Sequence, residues 1–337
     1  MKNLILILTM LTSLLISNAC NKAGSEQDDS RIPVILDTDA NNELDDQHAL
    51  AYLLLNEQTF QVLGITTNAT RNGGEIDEHV KEAQRVVDLV GWKEKVTVFK
   101  GANGNFEEIR TSLDQEEFDG SEAVDFIIEE ALKKRKQPLV LLPVGKLTNV
   151  ALALEKEPAI AKKIRIVWLG SNYPDPGEYN LDNDTASLNY ILGRDVPFEM
   201  ATVRYGQPTG TGHVKVARKE IYTRMPGIGP VVTEAVSGRH GGSFTCFGDY
   251  SVDLFRHITH LEDGCYRSLY DMAAVAIVKN PQWAEAFEVP APVYGNDGWV
   301  EQPGTRRKIT IWENFDRDAI MNDFYAALEG SAGTVSE

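Results

Sequence analysis

Five acidic side chains fall within ten residues in Asp37-Thr-Asp39-Ala-Asn-Asn-Glu43-Leu-Asp45-Asp46, directly after the apolar run Val34-Ile-Leu36. Carboxylates crowded at a strand end repel one another, so a fold tolerates them there only with something positive among them. A hard cation is the natural partner, because the cluster offers oxygen ligands and no histidine or cysteine. Asp45 and Asp46 open a helical pattern, where the positive helix N-terminus favours acidic groups. Both acidic pairs then face one crevice. Taken singly, each Asp has a plainer use as a turn or helix cap.

The elements that must position these acids alternate. Pro33–Leu36, Val62–Thr66, Val96–Phe99, Leu139–Val144, Ile164–Leu169 and Val196–Thr202 read as strands. His48–Leu55, His79–Val90, Glu122–Lys133, Leu147–Leu154 and Ala186–Leu192 read as helices between them. The pattern predicts an α/β fold: a single domain with a largely parallel central sheet flanked by helices on both faces. Ligands belong at the carboxyl ends of such strands. From Tyr205 to His260 the alternation breaks into Gly-, Thr- and aromatic-rich sequence, read as insertion loops or a small helical cap. A helix at Leu269–Val278, a strand at Arg306–Trp312 and a helix at Asp318–Leu328 close the domain.

The chain has 337 residues and a formal net charge of −17, which argues against nucleic acid or an anionic membrane surface as partner. Its one basic run, Lys133-Lys-Arg-Lys136, reads as a solvated helix end. Residues 1–19 have the layout of a secretory signal peptide, with an apolar stretch from Leu4 to Ile16. Cys20 directly after Ala19 looks like a bacterial lipoprotein cleavage site, so Cys20 would carry the lipid and residues 20–30 would form a polar tether ahead of a domain over 31–330. Export to the periplasm or cell envelope follows, with the lipid anchor as the only membrane contact. Cys246 and Cys265 are open to pairing or to remaining free thiols. Self-association stays open too.

Further motifs follow in order. Gly64-Ile-Thr-Thr67 ends the second strand, with Asn68 and Asn72 in the loop after it. Val144-Gly-Lys146-Leu-Thr148-Asn149 opens a helix. Asn172, Glu178 and Asn180 keep a spacing of six and two, and Tyr270-Asp271-Met-Ala-Ala-Val-Ala opens another helix. With the Asp37-x-Asp39 and Asp45-Asp46 pairs, this series resembles the inosine-uridine nucleoside hydrolase family. The turn between the acidic pairs is two residues longer than that family's, Lys146 stands for a proline, and Tyr270 for a histidine.

The resemblance implies a calcium-dependent N-glycosidase that splits a ribonucleoside or related N-riboside into free base and ribose. By the same resemblance Asp39, Asp46, Asp271 and the Val144 carbonyl would hold Ca²⁺, with Asp39 as general base. Asp45, Asn72, Asn172, Glu178 and Asn180 would hold the sugar, and Asn68 is a second reading of the loop asparagine. The leaving-group acid is unassigned: Tyr270 fills the histidine's place, and His240, Tyr205, Tyr250 and Trp299 are alternatives from the irregular regions. Two competing readings use the same residues. In a haloacid-dehalogenase-like phosphatase, Asp37 would be nucleophile, Asp39 acid and Lys146 the later lysine. In a non-catalytic lipoprotein, the calcium crevice would bind a sugar or nucleoside without turnover.

Overall fold

The computed structural model describes residues 30–331 and 335–336, so the leader, Cys20 and all of the tether but Ser30 lie outside the described residues. Residues 31–337 cluster as one unit. The first six strands are β1 (Ile32–Thr38), β2 (Phe60–Thr67), β3 (Val98–Phe99), β4 (Leu139–Pro143), β5 (Ile164–Leu169) and β6 (Phe198–Ala201). Short strands follow: β7 (Lys215–Ala217), β8 (Val231–Val232), β9 (Val236–Ser237), β10 (Ser243–Phe244) and β11 (Tyr266–Ser268). The last are β12 (Glu285–Pro290), β13 (Val293–Gly295), β14 (Gly298–Val300), β15 (Lys308–Glu313) and β16 (Val335–Ser336). Eight of them form the central sheet in the order β12-β15-β6-β5-β4-β1-β2-β3. Every pairing in it is parallel except β12 on β15.

Both faces of the sheet are covered, and the side chains of its inner strands alternate between two cores. Val34, Leu36, Val140, Leu142 and Val167 enter one, and Ile35, Leu139, Leu141, Ile166 and Trp168 the other. That period of two, with both faces apolar, is why these strands read as continuous hydrophobic runs. The helices before the midpoint are α1 (Asp45–Leu54), α2 (Ile76–Leu89), α3 (Phe106–Ile109), α4 (Ser121–Leu132) and α5 (Thr148–Lys156). Beyond it come α6 (Tyr179–Asn183), α7 (Thr185–Leu192), α8 (Arg218–Arg224), α9 (Phe247–His257), α10 (Tyr270–Lys279) and α11 (Arg317–Gly330). Every residue of α1 is buried, and so is α10 from Asp271 to Val278. The two pack against each other, so their N-termini meet.

Sequence missed two kinds of element. Edge strand β12 is mostly exposed on both faces, so it carries no buried alternation. Helices α3 and α6 have four and five residues, too few to display a helical period. The irregular stretch from Tyr205 to His260 contains the eleven-residue α9 and the short α8, the helical part of the expected cap. Cys246 is buried and Cys265 exposed, both as free thiols. Among the described residues, no helix is long and apolar enough to cross a membrane.

At the strand ends the backbone is stitched by one side chain. Asn149 donates from Nδ2 to the Thr67 carbonyl at 2.8 Å and to Asp37 Oδ1 at 2.7 Å, while its Oδ1 accepts from the Ala102 amide at 2.9 Å. A Cβ on Gly101 would lie 1.8 Å from the Thr67 carbonyl oxygen and 2.4 Å from Asn149 Nδ2, so only glycine fits beside this knot. Gly101→Ala is expected to cost at least about 1–3 kcal/mol of folding stability, the usual range for overpacking a tight interior. Urea unfolding of the two proteins measures it, and a midpoint unchanged by the substitution would contradict the tight approach.

Candidate active site

Strand order reverses at β1, which has β2 on one side and β4 on the other, and a cavity of about 240 Å³ opens beyond the carboxyl ends of β1, β4, β5 and β6. Each of these strands delivers a lining residue just past its end: Asp39, Val144, Leu169 at the β5 terminus, and Val203. Such a switch point is where open α/β sheets leave room for ligands. The remaining wall comes from helix starts. Asp45 and Asp46 occupy the first turn of α1, and Asp271 the first turn of α10. Helix N-termini stabilise negative charge by their aligned peptide dipoles, so two helix ends support three acids.

One carboxylate oxygen each of Asp45, Asp46 and Asp271 lies within 4.8 Å of the other two, and all three residues are buried. Asp39 lines the same cavity, with Oδ2 accepting from the Thr70 hydroxyl at 2.5 Å. Asp46 accepts from the Thr38 hydroxyl at 2.5 Å. The Asp39 carboxyl is pushed up to about 7, first by burial and then by the charges of Asp45 and Glu178, against the hydrogen bond from Thr70 that lowers it. Asp46 is held well above the usual carboxylate range by burial and by Asp39 and Asp45. Asp271 is raised likewise by burial and by Asp45, Asp46 and Asp39, with Arg267 acting the other way. Carboxylates that retain protons for want of positive charge are a fitting donor set for a hard divalent cation, and every donor at this end is oxygen.

The sugar-binding candidates divide. Asn72, Glu178 and Asn180 line the cavity. Asn180 donates from Nδ2 to the carbonyls of Val144 (2.7 Å) and Leu169 (3.1 Å), which frees its Oδ1. Glu178 caps α6 and accepts through Oε2 from the amides of Ser171 (2.9 Å) and Leu181 (3.0 Å). Ser171, a non-glycine residue at φ 76, carries backbone strain next to this contact. The Asn72 amide donates to the Tyr179 hydroxyl at 3.0 Å.

Asn172 does not line the cavity: its Oδ1 accepts from the Tyr205 amide at 2.8 Å and shapes the rim indirectly. Asn68 is turned inward, donating to Asp37 Oδ2 at 3.1 Å and accepting from the Lys146 amide at 3.2 Å. His240 is exposed and stacks on His257 with ring centroids 4.3 Å apart, away from the cavity. Tyr250 is buried and donates to Glu82 at 2.5 Å, and Trp299 packs against Tyr173 and Tyr294. Tyr270 and Tyr205 do line the cavity.

Sequence reasoning missed Thr70, Tyr179 and Arg267. The first two stand in loops or short helices without a period. Arg267 has a signal, because crowded acids need a positive neighbour and it precedes Asp271 by four positions, but a bound ion meets the same need and hides it. Its Nη2 lies 3.2 Å from Asp45 Oδ1 and 3.5 Å from Glu43 Oε2. Burial pulls this guanidinium down and the charges of Asp45 and Glu43 more than reverse it. Among the described residues it is the only Lys, Arg or His that lines the cavity.

A family model described as inosine-uridine preferring nucleoside hydrolase matches residues 34–322. The chain belongs to that family. Membership classes it among hydrolases acting on N-glycosyl compounds. It is similar to the pyrimidine-specific ribonucleoside hydrolase RihB of Escherichia coli, 29% identical over 53% of this chain and 54% of that protein. An inosine-uridine preferring nucleoside hydrolase of Leishmania major is 23% identical over 55% and 54%. The chain thus spans about half the length of these two relatives. Solved structures with the same fold include the purine-preferring ribonucleoside hydrolase of Gardnerella vaginalis, with a TM-score of 0.62 and 22% identity over 89% of this chain and 99% of that one. An inosine-uridine preferring nucleoside hydrolase from Bacillus anthracis gives 0.64 and 15% over 88% and 99%.

Membership overturns the phosphatase and the non-catalytic readings. The geometry gives the first of these a physical reason. Asp37 is walled in, accepting from the Thr66 hydroxyl (2.7 Å), Asn149 and Asn68, and is no nucleophile. Lys146 turns its ammonium to the carbonyl of Gly104 (2.6 Å) and to Asn105 Oδ1 (3.0 Å), away from Asp37.

A cation that binds only the folded crevice must stabilise the fold by mass action. Divalent cation at roughly 100 times its dissociation constant is expected to add about 2.7 kcal/mol. Differential scanning fluorimetry reads this as a raised melting temperature that chelator reverses. Asp271→Asn should lose most of the rise, and a full rise in that variant would place the cation elsewhere.

Proposed function

We propose that the protein hydrolyses the N-glycosidic bond of a ribonucleoside or related N-riboside, giving free base and ribose, with calcium as its cofactor. The observation that carries the proposal is the convergence of Asp39, Asp45, Asp46 and Asp271, early and late in the chain, on one cavity at the strand ends. Asp39, Asp46, Asp271 and the Val144 carbonyl would hold the ion. Calcium suits them because it takes six to eight oxygen ligands in flexible geometry. When bound it supplies positive charge that makes a nearby water more acidic and anchors vicinal hydroxyls.

The chain's own groups do the rest. Asp39 accepts the proton of the attacking water, with its carboxylate held in place by the Thr70 hydroxyl. Asp45, Glu178, Asn180 and Asn72 hold the ribose hydroxyls. Asn180 is itself locked by two carbonyls, so its free acceptor is preorganised. The buried carboxylates stabilise the positive charge that grows on the sugar ring as the bond to nitrogen lengthens. The apolar leader and Cys20 directly after Ala19 support export and lipid anchoring of this hydrolase.

A panel of purine and pyrimidine nucleosides, assayed for released base and reducing sugar with and without chelator, tests the proposal. Calcium-dependent release of both products is expected. Asp39→Ala should lower kcat/KM by on the order of 10²–10⁴, the usual contribution of a general base, with the far-ultraviolet circular dichroism unchanged. Activity near wild type would remove Asp39 from the mechanism.

A further inference from the structure

The cavity lining is of two kinds: the carboxylates already described, and Arg267 with Tyr205 and Tyr270. Arg267 sits on β11, whose backbone is paired to β7 with Arg267 opposite Val216, so its position is fixed by a ladder rather than a free loop. Only part of its fork is used. Nη2 meets Asp45 and Glu43, but Nε is buried and has no hydrogen-bond partner. A buried donor on a charged group normally has an acceptor, so the fork has donor capacity left over. The guanidinium carbon stands 5.7 Å from the centre of the Tyr270 ring, and Tyr270 meets Tyr205 edge to face at 6.2 Å. Two aromatic rings and a guanidinium in one part of the lining suit a planar group that carries an acceptor oxygen.

Resting on the hydrolase reading of this site, we propose that Arg267 contacts the leaving group: it hydrogen-bonds an exocyclic oxygen of the departing heterocycle, which Tyr205 and Tyr270 flank. A ribose hydroxyl can donate to a carboxylate and still accept, so it is the aromatic pair beside Arg267, suited to a planar ring, that assigns the acceptor to the other half of the substrate. The substrate class is an N-riboside whose heterocycle has a carbonyl or carboxylate oxygen. As the bond from C1′ to nitrogen breaks, its electron pair passes to the heterocycle. Water oxygen bonds to C1′ and its proton goes to Asp39. The guanidinium stays protonated throughout and stabilises the negative charge that reaches the exocyclic oxygen. The heterocycle then takes a proton from water, and Asp39 returns its own to solvent. Among the described residues no histidine lines this cavity, and in this scheme none is required.

Comparing uridine with 4-nitrophenyl β-ribofuranoside tests the contact, because nitrophenolate leaves as a stable anion without help. Arg267→Met is expected to lower kcat/KM for uridine by about 10–150-fold, the worth of one charged hydrogen bond, and for the nitrophenyl riboside by only about fivefold or less. Arg267→Lys, which keeps the charge and packs more conservatively, should give an intermediate ratio and serves if the Met variant fails to fold. Equal losses on both substrates would show that Arg267 merely neutralises Asp45 and Glu43, and would overturn the proposal. If the wild type cleaves neither compound, the hydrolase reading fails by itself, and calorimetry in excess calcium decides this one. Arg267→Met should then weaken uridine by about tenfold or more while ribose moves by less than about threefold. Equal weakening of uridine and ribose overturns it.

Discussion

Repulsion among buried carboxylates is the constraint around which this molecule is arranged. Asp39, Asp45, Asp46 and Asp271 are all buried at one point, where bulk solvent screens them little. Four devices share the compensation. The N-termini of α1 and α10 bring positive dipole ends, the hydroxyls of Thr38 and Thr70 donate to two of the acids, Arg267 supplies a full charge to a third, and an oxygen-ligated cation fits the rest. These devices dictate packing. To bring both helix ends to one place, α1 and α10 must pack on each other inside the structure, which explains why both are buried along almost their whole length.

The same repulsion separates the uses of two acids only two residues apart. Asp37 faces Thr66, Asn68 and Asn149 and has its carboxyl pushed up to about 6 by burial, against those three hydrogen bonds. Asp39 lies just beyond the strand and faces the cavity. Asp37 therefore holds β1, β2 and α5 in register while Asp39 remains free for chemistry. Asn149, which its place at a helix start suggests as a cap, instead links Asp37, Thr67 and Ala102; the N-cap of α5 is Leu147, and no side chain caps that helix.

What was legible in the sequence follows from this division. The central strands were readable because burial on both faces leaves an unbroken apolar run, and the acids because several charges beside such a run contradict burial unless they are used. The pairing of Asp271 with Asp46 was readable only through resemblance, since no local period links positions so far apart. Illegible were contacts made by single residues across the fold. Asn172 and Asn68 have the type and spacing of ligand-holding asparagines, and each spends its polar atoms on the backbone or on Asp37. His240 suggested an acid because histidine titrates near neutrality, but exposure and a stacked neighbour keep it outside the cavity. Arg267 was passed over because the sequence cannot say which of its arginines folds back onto the acids.

The two kinds of lining also favour one way round for the substrate proposed above. A sugar set between Arg267 and the two tyrosines would leave four buried carboxylates without donors, and an unmet hydrogen bond is most costly on a buried group. The reverse orientation serves both. Glu43 and Asp45 pair with Arg267 and temper its charge, so that it opposes less the positive charge growing on a sugar ring during bond cleavage. The guanidinium keeps directed N–H groups and its own charge for the heterocycle. Positive charge at the sugar and negative charge at the heterocycle can then grow side by side, each facing groups of the opposite sign.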